Sequence, residues 1–148
     1  MHVANITIDK DKVDSDLTDF PIYIDLSDLP SSFWDTVVNG GGDIIVYKSD
    51  GTTELAREVV SCDTGTDTGE LHIKYSGTLS GSSDTTIQIH ADGSSSEPAS
   101  DATYGSEAVW SDYEAVYHLT DTNDSTSNDN DLTNNGATSG ATGQIGDA

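Results

Sequence analysis

Residues 16–26, with the sequence DLTDFPIYIDL, indicate the fold class most directly. Every second residue from Phe20 to Leu26 is large and apolar, and this period of two places those side chains on one face of a β-strand. Pro21 lies on the opposite parity, and proline cannot donate a hydrogen bond to a sheet. We therefore predict a half-buried strand that lies at the edge of a sheet or begins near Pro21.

The same reasoning predicts further strands on both sides of this one. They cover residues 5–9, 43–48, 53–61, 71–75 and 85–90. Residues 43–48 are apolar on both parities, which is typical of a central strand covered on both faces. The pair Asp50-Gly51 accepts the positive φ angles of a tight turn, so we expect a hairpin between residues 43–48 and 53–61.

One helix is expected between Pro30 and Gly42, where Ser31 or Ser32 would cap its start. Hydrophobic residues make up only 33% of the chain, and Asp, Ser, Thr, Asn and Gly replace them. That composition favours strands and turns over helices. We predict an all-β protein, an antiparallel, jelly-roll-like β-sandwich with one short helix and a partial second β module.

The net charge of −22 limits the partners of the protein. A phosphate backbone or an anionic membrane would be repelled, so we expect no binding to nucleic acid. No segment approaches the about 20 apolar residues that span a bilayer, so we expect no membrane insertion. The acidity indicates either a solvated surface or bound divalent cations. Because Cys62 is the only cysteine, an internal disulfide and a cysteine-based zinc site are excluded.

A cluster of aromatic residues follows a Ser- and Gly-rich stretch at residues 91–106. Trp110, Tyr113 and Tyr117 belong to it, and residues 115–119 (AVYHL) have the pattern of a strand. The three aromatic side chains either pack in a core or form a platform that binds a sugar.

Residues 121–131 contain no apolar side chain and predict a polar loop or a calcium site. Calcium takes about six to eight oxygen ligands. The candidate ligands here are Asp121, Asn123, Asp124, Asp129 and Asp131. The EF-hand pattern is not met, because Thr126 and Leu132 stand where that loop has Gly and Glu. A solvated turn is the alternative. We expect no other cofactor.

Catalysis is not expected from the sequence. No GxSxG element is present, and acidic residues are so frequent that a carboxylate pair has no meaning without geometry. The histidines show no metal-ligand spacing, and each is interpreted as an exposed strand residue; they are His2, His72, His90 and His118.

The blocks at residues 16–26, 41–55 and 69–90 resemble successive strands of the DUF2341 family, a β-sandwich module of bacterial, archaeal and phage surface proteins. The resemblance implies a first domain at residues 1–92. Members of that family continue into a tyrosine-rich end of the last strand, whereas residues 89–95 here read IHADGSS.

Residues 114–119, 124–132 and 143–148 resemble the first strands of a concanavalin A-like, laminin-G-type jelly roll. This resemblance implies a linker at residues 93–108 and the N-terminal fragment of a second domain at residues 109–148. Ala137 and Ile145 are the expected apolar anchors near its end. Because only the first strands of such a domain are present, we expect a polypeptide that is truncated or divided at this point. The alternative is that residues 109–148 pack onto the first module.

These resemblances imply a non-enzymatic structural or adhesive component of an extracellular assembly, above all a phage virion protein such as a tail fibre, spike or capsid decoration. Met1 is followed by a strand-like run rather than a signal peptide, which fits a virion component released by lysis. We expect a homo-oligomer at the virion or cell surface, in contact with other subunits. A carbohydrate-binding module for a cell-surface glycan, dependent on calcium, is the alternative, and a glycoside hydrolase fragment is a remote one.

Overall fold

The computed structural model describes residues 1–136, and most of its regular structure is β-strand. The strands are β1 (His2–Ile8), β2 (Leu17–Asp25), β3 (Ile44–Lys48), β4 (Ala56–Asp63), β5 (Thr68–Leu79) and β6 (Thr85–Ala91). The described residues also include two single-turn helices, α1 (Ser31–Trp34) and α2 (Ser106–Val109), and 3-10 turns at Lys10–Lys12 and Leu26–Asp28. None of the helices in this part of the chain is long and apolar enough to cross a membrane.

The strands of residues 1–136 form two three-stranded antiparallel sheets, with the orders β1-β6-β3 and β2-β5-β4. Apolar side chains from both sheets join one core; they include Ile24, Ile44, Val46, Leu71, Ile73, Ile87 and Ile89. Phe33 from α1 and Leu26 are also fully buried in it. The predicted all-β antiparallel sandwich is therefore confirmed, and so is the edge position of β2, in which Pro21 lies.

Two details of the helices differ from the predictions. Residues 1–136 contain two short α-helices rather than one, since α2 was not expected. Neither Ser31 nor Ser32 caps α1, because Pro30 is the N-cap residue and provides no side-chain hydrogen bond.

The prediction that residues 43–48 form a central strand is wrong. Within residues 1–136, β6 is the middle strand of that sheet and β3 is an edge strand. The outer side of β3 has one isolated bridge, between Tyr47 and Glu54. The turn at Asp50-Gly51 is present, with a φ of 68° at Gly51. The expected hairpin is brief, because the chain then crosses to the other sheet, where β4 pairs with β5.

Residues 93–136, which we call the covering segment, contain no β-strand. The segment lies against the second sheet: the backbone N of Arg57 in β4 donates to the carbonyl of Tyr104 at 3.2 Å, and Val109 is fully buried. The strand predicted at residues 115–119 is wrong, because the backbone N–H and carbonyl of Val116 bond to residues 124 and 125 of the same segment instead of to a neighbouring strand.

Some expectations fall outside the described residues. These are the anchors Ala137 and Ile145 and the block at residues 143–148 that resembles a jelly-roll turn.

Candidate functional site

The outer face of the second sheet carries a group of ionisable side chains that the strand register places together. Glu58 of β4 and Tyr23 of β2 both lie opposite His72 of β5. Glu70 precedes His72 by two residues, so both side chains leave the same face of β5. Nε2 of His72 lies 2.9 Å from Oε1 of Glu70, and the rings of Tyr23 and His72 are 5.5 Å apart.

The covering segment closes over this face with two further side chains. Nε1 of Trp110 donates a hydrogen bond to Oε2 of Glu58, and Nε2 of His118 lies 3.0 Å from the same oxygen. The ring of His72 is 5.1 Å from that of Trp110 and 5.0 Å from that of His118. We call the four ionisable residues the Glu–His cluster; they are Glu58, Glu70, His72 and His118.

The Glu–His cluster is largely shielded from solvent. Side-chain exposure is 12% for Glu58 and 15% for His118, and it is 14% for Glu70 and 13% for His72. Burial alone would lower the pKa of His118, but the hydrogen bond and charge of Glu58 outweigh it and raise the pKa. Burial likewise opposes ionisation of Glu58, yet hydrogen bonds from His118 and Trp110 lower its pKa.

The interpretation of the histidines as exposed strand residues is wrong, because all four are partly buried. His72 is in a strand but mostly covered, and His118 belongs to no strand. One feature of the sequence could have predicted part of this cluster. Leu71 and Ile73 alternate with Glu70 and His72, so Glu70 and His72 share the opposite face of the strand. Nothing in the local pattern places His118 beside them, because that contact depends on how the covering segment packs.

The three residues of the predicted aromatic ligand site differ in exposure and in their contacts. Trp110 is 7% exposed, while Tyr113 is 42% exposed. Their rings meet edge to face, at 5.6 Å and 87°, so they do not form a flat platform. The hydroxyl of Tyr117 donates a hydrogen bond to the carbonyl of Asn130 at 2.5 Å.

Asp124 organises the polar loop in which calcium ligands were predicted. One carboxylate oxygen accepts from the backbone N of Val116 (2.9 Å) and of Thr126 (3.0 Å). The other accepts from the hydroxyl of Thr126 (2.8 Å) and the backbone N of Asn130 (3.0 Å). Burial opposes ionisation, but these hydrogen bonds outweigh it and lower the pKa of Asp124 to about 2. This carboxylate is thus already used to shape the loop.

The other predicted calcium ligands lie around Asp124. Asp121 accepts hydrogen bonds from the backbone N and the side-chain amide of Asn123, at 2.9 and 2.7 Å. Asp131 accepts from the backbone N of Asp124 at 3.0 Å. Asp129 has a positive φ of 53° and is exposed. The structure therefore brings the five residues into one loop, and the calcium site stays a prediction.

A polar cleft of about 330 Å³ separates this loop from β4. Carboxylate, hydroxyl, amide and imidazole groups line it; they include Glu58, Ser100, Glu107, His118, Asp121 and Asn123. The Glu–His cluster borders the cleft through Glu58 and His118. Such a lining can hydrogen-bond a hydroxyl-rich ligand or bind a cation.

The resemblances to the DUF2341 family and to a laminin-G-type jelly roll stay predictions. No protein-family model matches this chain, and no curated protein or solved structure matches it either.

Proposed function

We propose that this protein is a non-enzymatic structural or adhesive component of an extracellular assembly, such as a tail fibre, spike or capsid decoration of a phage virion. The observation that carries the proposal is that the outer edge of β2 is unpaired within residues 1–136. That edge strand exposes two aromatic side chains, Phe20 at 41% and Tyr23 at 42%. The edge of β4, by contrast, receives a backbone contact from the covering segment at Tyr104.

Pro21 determines how a neighbour can dock on this edge. It lies between the two exposed aromatic residues and has no N–H group, so a continuous ladder of backbone hydrogen bonds cannot form there. A neighbour can still contact the side chains of Phe20 and Tyr23, which leave opposite faces of β2. Such a surface suits subunits that repeat by symmetry, and the proposed partner is another copy of this chain.

The charge of the protein sets the conditions under which copies associate. Each chain carries a net charge of −22, so copies repel one another at long range. Salt screens this repulsion, with a Debye length of about 10 Å at 0.1 M ionic strength. Self-association through an aromatic edge should therefore strengthen as salt is added, whereas association with a basic partner would weaken.

The test is the mass of the purified chain in solution, measured by light scattering at low and high ionic strength. We expect an oligomer whose population rises with salt and falls when Phe20 and Tyr23 are both replaced by serine. Leu132→Ser is the matched control, because Leu132 is 43% exposed but lies outside β2. A chain that stays monomeric at every salt concentration would overturn the proposal, and so would an oligomer that the double substitution leaves unchanged.

Carbohydrate binding is the second candidate function, and the polar cleft beside β4 supports it. Its volume of about 330 Å³ and its hydroxyl, amide and carboxylate lining are suited to a sugar unit. Binding on a glycan array tests this function. We expect Glu107→Gln and Asn123→Ser to lose the binding and Glu114→Gln to retain it. Glu107 and Asn123 line the cleft, whereas Glu114 is exposed and is not among its lining residues. Absence of binding to any glycan would count against it.

A further inference from the structure

We propose that the Glu–His cluster binds a divalent transition-metal cation, with Zn²⁺ as the best fit, through Glu70, His72 and His118. One ligand atom from each of these residues lies within 4.8 Å of those from the other two. Imidazole nitrogen and carboxylate oxygen are both ordinary zinc ligands, and two histidines with one glutamate form a known ligand set. The fourth position is left for water.

The spacing requires only side-chain movement. Zinc bonds of about 2.1 Å in a tetrahedral site place neighbouring ligand atoms about 3.4 Å apart. The atoms of Glu70 and His72 are already 2.9 Å apart, and the whole set spans at most 4.8 Å. Glu70 and His72 come from one face of β5, so a regular strand fixes their backbones. Small rotations of the His118 ring and the Glu70 carboxylate would bring the three ligand atoms to the spacing that a zinc ion requires.

Glu58 orients one of the proposed ligands. Its carboxylate lies 3.0 Å from Nε2 of His118 and accepts a hydrogen bond from Trp110 as well. Binding of the metal through the other ring nitrogen of His118, Nδ1, would leave this contact in place. A carboxylate that holds one nitrogen while the other binds the metal is the common arrangement around metal-bound histidines. Glu58 is thus a positioning residue.

The local charge favours a cation. Two carboxylates, those of Glu58 and Glu70, are mostly shielded from water. No Lys or Arg in residues 1–136 forms an ion pair with either of them. Lys74, which follows on the same face of β5, instead contacts Asp112 at 2.6 Å and Ser111 at 2.8 Å. A divalent cation bound by neutral imidazoles would balance the charge of these two carboxylates.

The metal would fasten the covering segment to the sheet. Glu70 and His72 belong to β5, whereas His118 belongs to the covering segment, so one ion would link the two. Binding only to the folded chain raises stability in proportion to the logarithm of the free metal concentration. The nitrogen ligands also distinguish this site from the polar loop at residues 121–131, because calcium prefers oxygen.

The experiment is a Zn²⁺ titration of the whole chain against a chromophoric chelator, in excess Mg²⁺ so that surface carboxylates are occupied. We expect one Zn²⁺ per chain, a higher thermal midpoint, and visible absorption typical of tetrahedral coordination when Co²⁺ replaces zinc. His72→Gln and Glu70→Gln should abolish this site, and Glu58→Gln should weaken it by about 10- to 100-fold. His90→Gln should bind as the wild type does, since His90 lies in the other sheet.

A second measurement needs no variant and so does not depend on the folding of one. In nitrogen-resolved NMR spectra of the wild-type chain, Zn²⁺ should shift the imidazole signals of His72 and His118 and leave those of His2 and His90 in place. The proposal fails if zinc does not bind in the presence of Mg²⁺, or if His72→Gln and His90→Gln bind it equally. It also fails if all four histidines respond alike.

Discussion

Asp43 and Gly93 are 50 residues apart, and the buried carboxylate of Asp43 accepts a 2.7 Å hydrogen bond from the backbone N of Gly93. The other oxygen of Asp43 accepts from the backbone N of Val38 at 2.9 Å. Asp43 is fully buried, so this carboxylate joins the loop before β3 to the start of the covering segment.

The first prediction concerns this carboxylate. Asp43→Ala would remove the buried acceptor of both hydrogen bonds. A hydrogen bond to a carboxylate contributes about 1.5–3 kcal/mol. We expect the free energy of unfolding to fall by about 3 kcal/mol in urea denaturation. Asp43→Asn should lose less, because its amide keeps one acceptor oxygen. Asp14→Ala is the control, because Asp14 is exposed. If Asp43→Ala lowers the free energy of unfolding as little as Asp14→Ala does, this role is contradicted.

The second prediction concerns acid. The pKa of Asp124 is lowered from its ordinary value of 3.8 to about 2 in the folded chain. The folded state therefore favours the ionised carboxylate, and this stabilisation is present above pH 3.8 and is lost as the pH falls toward about 2. Asp124→Asn should be less stable than the wild type near neutral pH, and the difference should shrink across that range.

Thermal midpoints measured across a pH series check this expectation. Asp101→Asn is the control, since Asp101 is exposed and its replacement should change the midpoint little at any pH. The inferred hydrogen-bonding role is contradicted if the thermal midpoints of Asp124→Asn and the wild type differ by the same amount at every pH.

The third prediction concerns the indole of Trp110, which covers the Glu–His cluster and donates to Glu58. Trp110→Phe keeps most of the apolar packing but removes this hydrogen bond to a charged group, which costs about 1.5–3 kcal/mol. Trp34→Phe is a matched control, because Trp34 is also buried and its Nε1 has no partner among residues 1–136. If urea denaturation shows equal losses for both variants, the bond to Glu58 contributes no stability.

The fourth prediction concerns close packing at Gly69. A Cβ atom there would lie 2.6 Å from the carbonyl oxygen of Ser61 and 2.8 Å from Cδ1 of Leu26. Gly69→Ala should therefore destabilise the fold by about 1–3 kcal/mol through overpacking. In Gly65→Ala the nearest atom is the side-chain oxygen of Asp63 at 3.2 Å, which can move. Denaturant midpoints should separate the two variants, and a tolerated Gly69→Ala would show that β4 and β5 can shift apart.

Local pattern was enough to predict the class of the fold. The alternation around Ile22 and Ile24 predicted the half-buried strand β2, and Pro21 predicted its place at an edge. Asp50-Gly51 predicted the turn after β3. These features depend on backbone preferences and on which side chains avoid water, and both act over a few neighbouring residues.

The sequence by itself thus determined the six strands of the two sheets in residues 1–136, the turn after β3 and the acidic character of this protein. Only the tertiary structure decided which strand is central, why residues 115–119 do not pair, and that His118 joins Glu70 and His72. The physical reason is that these contacts arise between distant parts of the chain. They depend on strand register and on the packing of the covering segment, neither of which leaves a periodic signal in the sequence.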